Sequence, residues 1–158
     1  PDYRKTHPHP FVIASALHSP SHISLESALS YHHLIPEAVY QVSSVTIHRG
    51  RSFKTPLGTF TFDRVPSGIP RAGVRAEKLG DESWAFVASP LRAIADLIYL
   101  RKEISWNRDG RRFLIDSMRI DEDDLLGLPV DDFGDIHDSI RNRRTQRFLR
   151  GLVKEIGQ

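Results

Sequence analysis

Asp63, Glu77 and Lys78 are the residue types from which a metal-dependent nuclease builds its site. Clustered carboxylates hold the ion, the ion activates water and a nearby lysine steadies the phosphate. Such sites pair an Asp on one strand with Glu-x-Lys on the next. Here Glu77 and Lys78 are adjacent, so on a strand their side chains leave opposite faces. A nuclease reading would require magnesium-dependent cleavage and stands as the alternative to a non-catalytic one. The eight histidines offer no metal set. His7 and His9 lie in a proline-rich start without a third ligand. His32 and His33 diverge by about 100° on a helix, and no H-E-x-x-H occurs. His32 reads as a packed or hydrogen-bonded residue and His33 as a helix-end residue. No G-x-S-x-G marks a nucleophilic serine, and no glycine-rich phosphate loop is present. The acids Asp121–Asp124 and Asp131, Asp132 and Asp135 depart from EF-hand spacing and suit helix N-termini. The absence of cysteine removes disulfides, thiolate chemistry and Cys-based zinc sites. No cofactor is implied.

Charge is the second source of chemistry. The net charge is only +2, yet Ile120–Ile140 carries eight acids and no Lys or Arg, and Arg141–Lys154 carries six bases and no acid. Arg49, Arg51 and Lys54 ride on a first hairpin interleaved with Phe53 and Phe60, with Arg64, Arg71 and Arg75 nearby in sequence. Arg141, Arg143, Arg144, Arg147, Arg150 and Lys154 recur mainly on the polar side of the last helix. A basic surface of this kind can grip phosphates or an acidic protein. A plain DNA-binding accessory domain is a third reading, distinguished by salt-dependent binding. Asp96 stands alone inside an apolar helix, where a buried carboxylate requires a partner. The expectation is a structural bond to a backbone donor or an Arg.

The elements that must position these groups follow from local signals. Pro1–Pro10 reads as a mobile arm or linker stub, and residues 11–158 as a single domain. Phe11–Leu17 is a short helix. Ser24 is expected to cap a helix with its side chain, with Leu25, Ala28, Leu29 and His32 on one buried face and Pro36 as its stop. Strands are expected over Val39–His48, Ser52–Thr55, Thr59–Val65, Val74–Leu79 and Trp84–Ala88, the last two as a hairpin around Gly80–Glu82. Ser89 caps and Pro90 opens a helix to Leu100. Arg101–Gly110 is a polar connection, and helices follow over Arg111–Met118, Asp121–Leu126, Asp131–Ile140 and Arg143–Ile156. Helices, then hairpin-linked strands, then helices predict an α+β fold with a mostly antiparallel or mixed sheet of about five strands, flanked by N-terminal and C-terminal helices. No run reaches the roughly 18 apolar residues that span a membrane. With no cysteine and no secretory signal visible, the expected compartment is the cytoplasm.

Three strings carry a resemblance. Ile23–Pro36 reads ISLESALSYHHLIP, Pro90–Leu100 reads PLRAIADLIYL, and Arg51–Phe62 reads RSFKTPLGTFTF. In this order and spacing they resemble the C-terminal domain of the AbiEi antitoxins, bacterial abortive-infection proteins of type IV toxin–antitoxin pairs. The family strings read roughly yISLeSALsyhGLIP, PekALlDLlYL and F.TplG.f.f. Here His33 stands at the Gly of the first, and Leu91-Arg92 at the Glu-Lys of the second, a change expected to alter a surface contact. The resemblance runs from about Pro10 to Leu100. It implies a non-catalytic domain that counteracts a nucleotidyltransferase-like toxin without requiring a stable complex. It also implies an upstream winged helix-turn-helix domain through which operator DNA is bound for autoregulation.

Overall fold

The computed structural model describes residues 8–36, 41–80 and 82–157. Most of the expected arm, the start of the strand at Val39 and Asp81 of the hairpin turn lie outside the described residues. The fold is α+β. Helix α1 (Pro10–Leu17) leads into strand β1 (His22–Ile23), helix α2 (Leu25–Tyr31) and strand β2 (Gln41–Thr46). Strands β3 (Arg51–Thr55), β4 (Gly58–Arg64), β5 (Val74–Lys78) and β6 (Trp84–Ala88) follow, and then the central helix α3 (Pro90–Leu100). The remainder is helical: α4 (Trp106–Asp109), a π-helical turn (Phe113–Ser117), α5 (Glu122–Leu126), α6 (Phe133–Ser139) and α7 (Arg143–Ile156). Among the described residues no helix is long and apolar enough to cross a membrane.

The sheet is mixed and has six strands in the order β3-β4-β2-β1-β6-β5. Two features depart from the sequence expectation. First, β2 does not pair with β3. The β3–β4 hairpin folds back so that β4 lies parallel to β2, and β3 becomes an outer edge. Second, the short β1 sits mid-sheet, antiparallel to β2 and parallel to β6, and joins the two halves. Its two residues fall where the sequence offers only a break before the helix.

Helix α3 is the axis of the core. Its apolar face of Leu91, Ile94, Ala95 and Ile98 is buried, but so are Arg92, Ala93, Asp96 and Leu97, because α2, α6, α7 and β6 surround it. Ser89 accepts a hydrogen bond from the Arg92 N–H and Pro90 takes the first helical position, as the sequence requires. Helix α7 buries Phe148, Leu149 and Leu152. Its Gly151 is a seat for Trp106: a Cβ there would come within 2.3 Å of the indole, which also meets Phe148 edge-on at 5.1 Å.

The end of α2 is a Schellman motif. The His33 N–H donates to the Ser30 carbonyl and the Leu34 N–H to the Leu29 carbonyl, with His33 left-handed at φ 62. A Cβ is disfavoured in that conformation, and His33 is exposed. His33→Gly is expected to stabilise the protein by about 0.5–1 kcal/mol, read as a higher urea midpoint with an unchanged m-value. A midpoint that falls would show that the imidazole contributes more than the strain costs.

Candidate functional site

Ser24 does not cap α2 with its side chain, contrary to expectation. The cap comes from the neighbouring strand: Ser43 Oγ on β2 accepts from the Ser27 N–H at 3.1 Å, the donor that Ser24 would have served. Ser43 Oγ in turn donates to the Ser24 carbonyl at 2.9 Å, and Ser27 Oγ accepts from the Ser43 N–H at 2.8 Å. Ser24 Oγ is released to donate to Asp96 Oδ2 at 2.7 Å. The chain then enters the helix through Leu25 at φ 55, a left-handed conformation costing about 1–2 kcal/mol, held because both flanks are fixed.

Asp96 is fully buried and is the centre of this cluster. Arg92 Nε, one helical turn earlier, donates to Oδ1 at 2.9 Å. His22 Nε2 from β1 lies 2.9 Å from Oδ2, and since an ionised carboxylate only accepts, this nitrogen carries the proton. Arg92 extends the cluster, its Nη1 donating to the Ala72 carbonyl at 2.7 Å and the Pro70 carbonyl at 3.3 Å. Burial on its own would raise the Asp96 pKa. The Arg92 charge, followed by His22 and Ser24, outweighs it and holds the carboxyl below its ordinary value. The expectation of an Arg partner is met. The expectation that the Leu91-Arg92 change alters a surface contact is not, because Arg92 is 1% exposed and belongs to the core.

Ser24, His22 and Asp96 are the residue types of a hydrolytic triad, but both donors converge on the same carboxylate oxygen. In a triad the histidine lies between serine and acid and takes the serine proton. Here the serine proton is committed to the carboxylate, so the cluster is built to hold chain segments together. Asp63 and Glu77 do not form one site either. β4 and β5 stand four strand positions apart, about 19 Å at normal strand spacing, and Glu77 Oε1 accepts from the Tyr31 hydroxyl at 3.0 Å. No group of three His, Cys, Asp or Glu among the described residues could hold a metal ion.

The basic residues separate into two kinds. Arg144 turns inward and donates to the Tyr99, Arg101 and Ile104 carbonyls at 3.1, 3.1 and 2.8 Å, closing the C-terminal end of α3. It is a structural residue and leaves the set of candidate partner contacts. Arg143, Arg147, Arg150 and Lys154 are exposed and follow helical spacing, forming one stripe about 16 Å long. Within it Arg150 Nη1 donates to His137 Nε2 at 2.8 Å. Arg141 is exposed just before the helix. On the hairpin, Arg49, Arg51, Lys54 and Arg64 are exposed, and Arg64 Nε donates to the Ile47 carbonyl. Arg51 and Lys54 are three residues apart on β3 and leave opposite faces. Phe60 is fully buried and Phe53 partly so, so this hairpin offers no aromatic grip. Among the described residues the exposed large aromatics are Trp84 and Phe86 on the other hairpin. The alternation Trp-Ala-Phe-Val along β6 was the sequence signal for them.

Comparison with protein-family models, with curated proteins and with solved structures returned no match for this chain.

Two outcomes are expected of the buried cluster. Asp96→Asn leaves the Arg92 charge buried without its counter-ion and is expected to cost about 3–5 kcal/mol, measured by chemical denaturation. A loss below 1 kcal/mol would mean the site relaxes to admit water. The second outcome concerns pH. Burial lowers the His22 pKa more than its bond to Asp96 raises it, so the unfolded chain takes up the proton first, near pH 6.5. Stability is full above about that pH and falls as pH drops through the folded-state value. His9 shifts in the same direction, so the test is a difference: His22→Gln should show a shallower loss of stability than the parent between about pH 6.5 and 4.5. Equal slopes would assign the loss elsewhere.

Proposed function

We propose that this chain is the antitoxin domain of an AbiEi-like type IV pair, a non-catalytic domain that counteracts a nucleotidyltransferase-like toxin. The observation that supports the reading is the meeting of two motif strings. Ser24 of the first donates to Asp96 of the second, and the third is the β3–β4 hairpin on the same sheet. The residues that carry the resemblance act on one another as scaffold, which fits a domain whose work is done by its surface. In this reading an upstream winged-helix domain contacts operator DNA, the pair acts in the cytoplasm, and neutralisation needs no stable toxin complex.

The working surface in this proposal is the outward stripe of α7, Arg143, Arg147, Arg150 and Lys154, extended by Arg141. It is narrower than the sequence reading of hairpin and final helix combined. Helix α7 packs on α3 to α6, whereas β3 is an edge strand of the sheet. Four cations on one helical face concentrate positive potential and favour an anionic target that the toxin also engages. Competition for that target neutralises the toxin without a lasting complex between the two proteins.

The test is growth on co-expression with the nucleotidyltransferase-like toxin encoded beside this chain. The unaltered chain is expected to restore growth. Simultaneous charge reversal of Arg143, Arg147, Arg150 and Lys154 to Glu should abolish rescue while the thermal midpoint stays within a few degrees. Arg144 is left untouched because it closes α3. Rescue by the reversed chain would remove the stripe from the mechanism, and failure of the unaltered chain would sink the antitoxin reading for that pair.

A further inference from the structure

The outer face of the β5–β6 hairpin lies outside the antitoxin reading and does not depend on it. Trp84 and Phe86 are two residues apart on β6 and leave one face of the sheet. They are 55% and 41% exposed, while Ala85 between them is buried. Across the ladder Lys78 stands opposite Trp84 and Ala76 opposite Phe86, and directly opposed residues share a face. The Arg71 guanidinium lies over the Phe86 ring, its carbon 3.7 Å from the centroid, and its Nη1 donates to the Ser21 carbonyl at 3.4 Å. Beside this face opens a cleft of about 200 Å³, lined in part by Ser15, Ser19, Ser21, Arg71, Trp84 and Phe86.

The chemistry of this face is a π surface with cations and hydroxyls around it. A guanidinium stacked on an aromatic ring keeps its in-plane N–H donors for a phosphate. An open indole accepts the face of any base, a contact that tolerates sequence. Glu77, the acid within β5, leaves the opposite face and is bonded to Tyr31, while Glu82 lies in the turn beyond Trp84. The cleft is smaller than the roughly 300–1,000 Å³ that encloses a whole small molecule, which suits one repeat of a chain lying across the surface. A duplex keeps both faces of each base stacked on its neighbours, so only an unpaired strand can present a base to the indole.

We propose that this face binds a short run of single-stranded nucleic acid, with a base stacked on Trp84 and the adjoining phosphates met by Arg71 and Lys78. The test uses a labelled oligothymidylate about a dozen nucleotides long, with a duplex of equal length as comparison, read by fluorescence anisotropy and by quenching of tryptophan emission. The single strand is expected to bind the unaltered chain more tightly than the duplex. Trp84→Ala should weaken it roughly tenfold, while Trp84→Phe retains most of the affinity. Arg71→Gln should reduce the magnitude of the slope of log K against log salt by about 0.7, and it serves as the independent variant should Trp84→Ala melt early. No binding at low salt, or an affinity that neither Trp84→Ala nor Arg71→Gln lowers relative to the unaltered chain, overturns the proposal. Duplex binding that depends on Arg147 and Arg150 instead of Trp84 would assign nucleic-acid contact to α7. A dimer in sedimentation that Trp84→Ala dissolves would mean that a second copy covers this face.

Discussion

The buried carboxylate of Asp96 is the constraint around which the fold is arranged. An ionised carboxyl with no exposure loses its hydration, and the several kcal/mol this costs must be returned by partners in good geometry. The partners come from two stretches of chain, Arg92 from α3 itself and His22 and Ser24 from the segment that runs from β1 into α2. Arg92 fixes the rotation of α3 and reaches the 70–72 loop, His22 fixes β1 in the middle of the sheet, and Ser24 fixes the entry to α2. One side chain thereby sets the relation of helix layer to sheet. An apolar residue of similar size would not specify which strand or loop lies beside α3. The return for the electrostatic cost is therefore registry.

That constraint also explains where the sequence was readable. Helix α3 was legible to within a residue because Ser89, Pro90 and the apolar spacing are all local signals. Asp96 was legible as needing a partner because desolvation follows from the apolar residues beside it. Ser24 was misread for the same reason that α3 was read well. A serine before an apolar-periodic run is a capping signal, and the local rule cannot know that Ser43, on another element, supplies the cap while a distant carboxylate claims the hydroxyl. Strand β1 was illegible because two residues carry no periodicity. The parallel pairing of β2 with β4 was illegible because the chain between them forms a perfect hairpin partner for only one of the two.

The bases show a related divide. Arg92, Arg144 and Arg147 look alike in a charge count, yet the first balances a buried carboxylate, the second binds three carbonyls at a helix end and the third meets solvent. Guanidinium serves all three because its fixed fork of donors can be satisfied by carboxylate or carbonyl oxygens, and its stem tolerates burial. Helical spacing separates Arg147 from Arg144 once α7 is drawn, so the stripe could be read from sequence. In PLRAIAD the one local signal for Arg92 is Asp96 four residues on, one turn along the same helix, and its burial is settled only by the chain that surrounds α3.

The same division bears on what a motif resemblance can carry. Ser24, Leu29, Asp96 and Leu97 are buried, and the TPLG turn holds a hairpin whose Phe60 and Phe62 enter the core. These residues answer to packing and to polar satisfaction, so a chain keeps them as long as it keeps the fold, whatever it binds. In the two proposals partner choice falls to the stripe on α7 and to the Trp84 face, which lie on elements with different neighbours and carry different chemistry. A point-charge stripe recognises an anionic surface by potential, with steep salt dependence. An indole beside a fixed guanidinium recognises a flat group next to a phosphate, and much of that contact survives salt. The two surfaces differ in their tie to the scaffold. The α7 stripe is built from residues outside the Asp96 cluster, whereas Arg71 of the Trp84 face sits between the Pro70 and Ala72 carbonyls that Arg92 binds, so the indole is the part of that face that can change without touching the cluster.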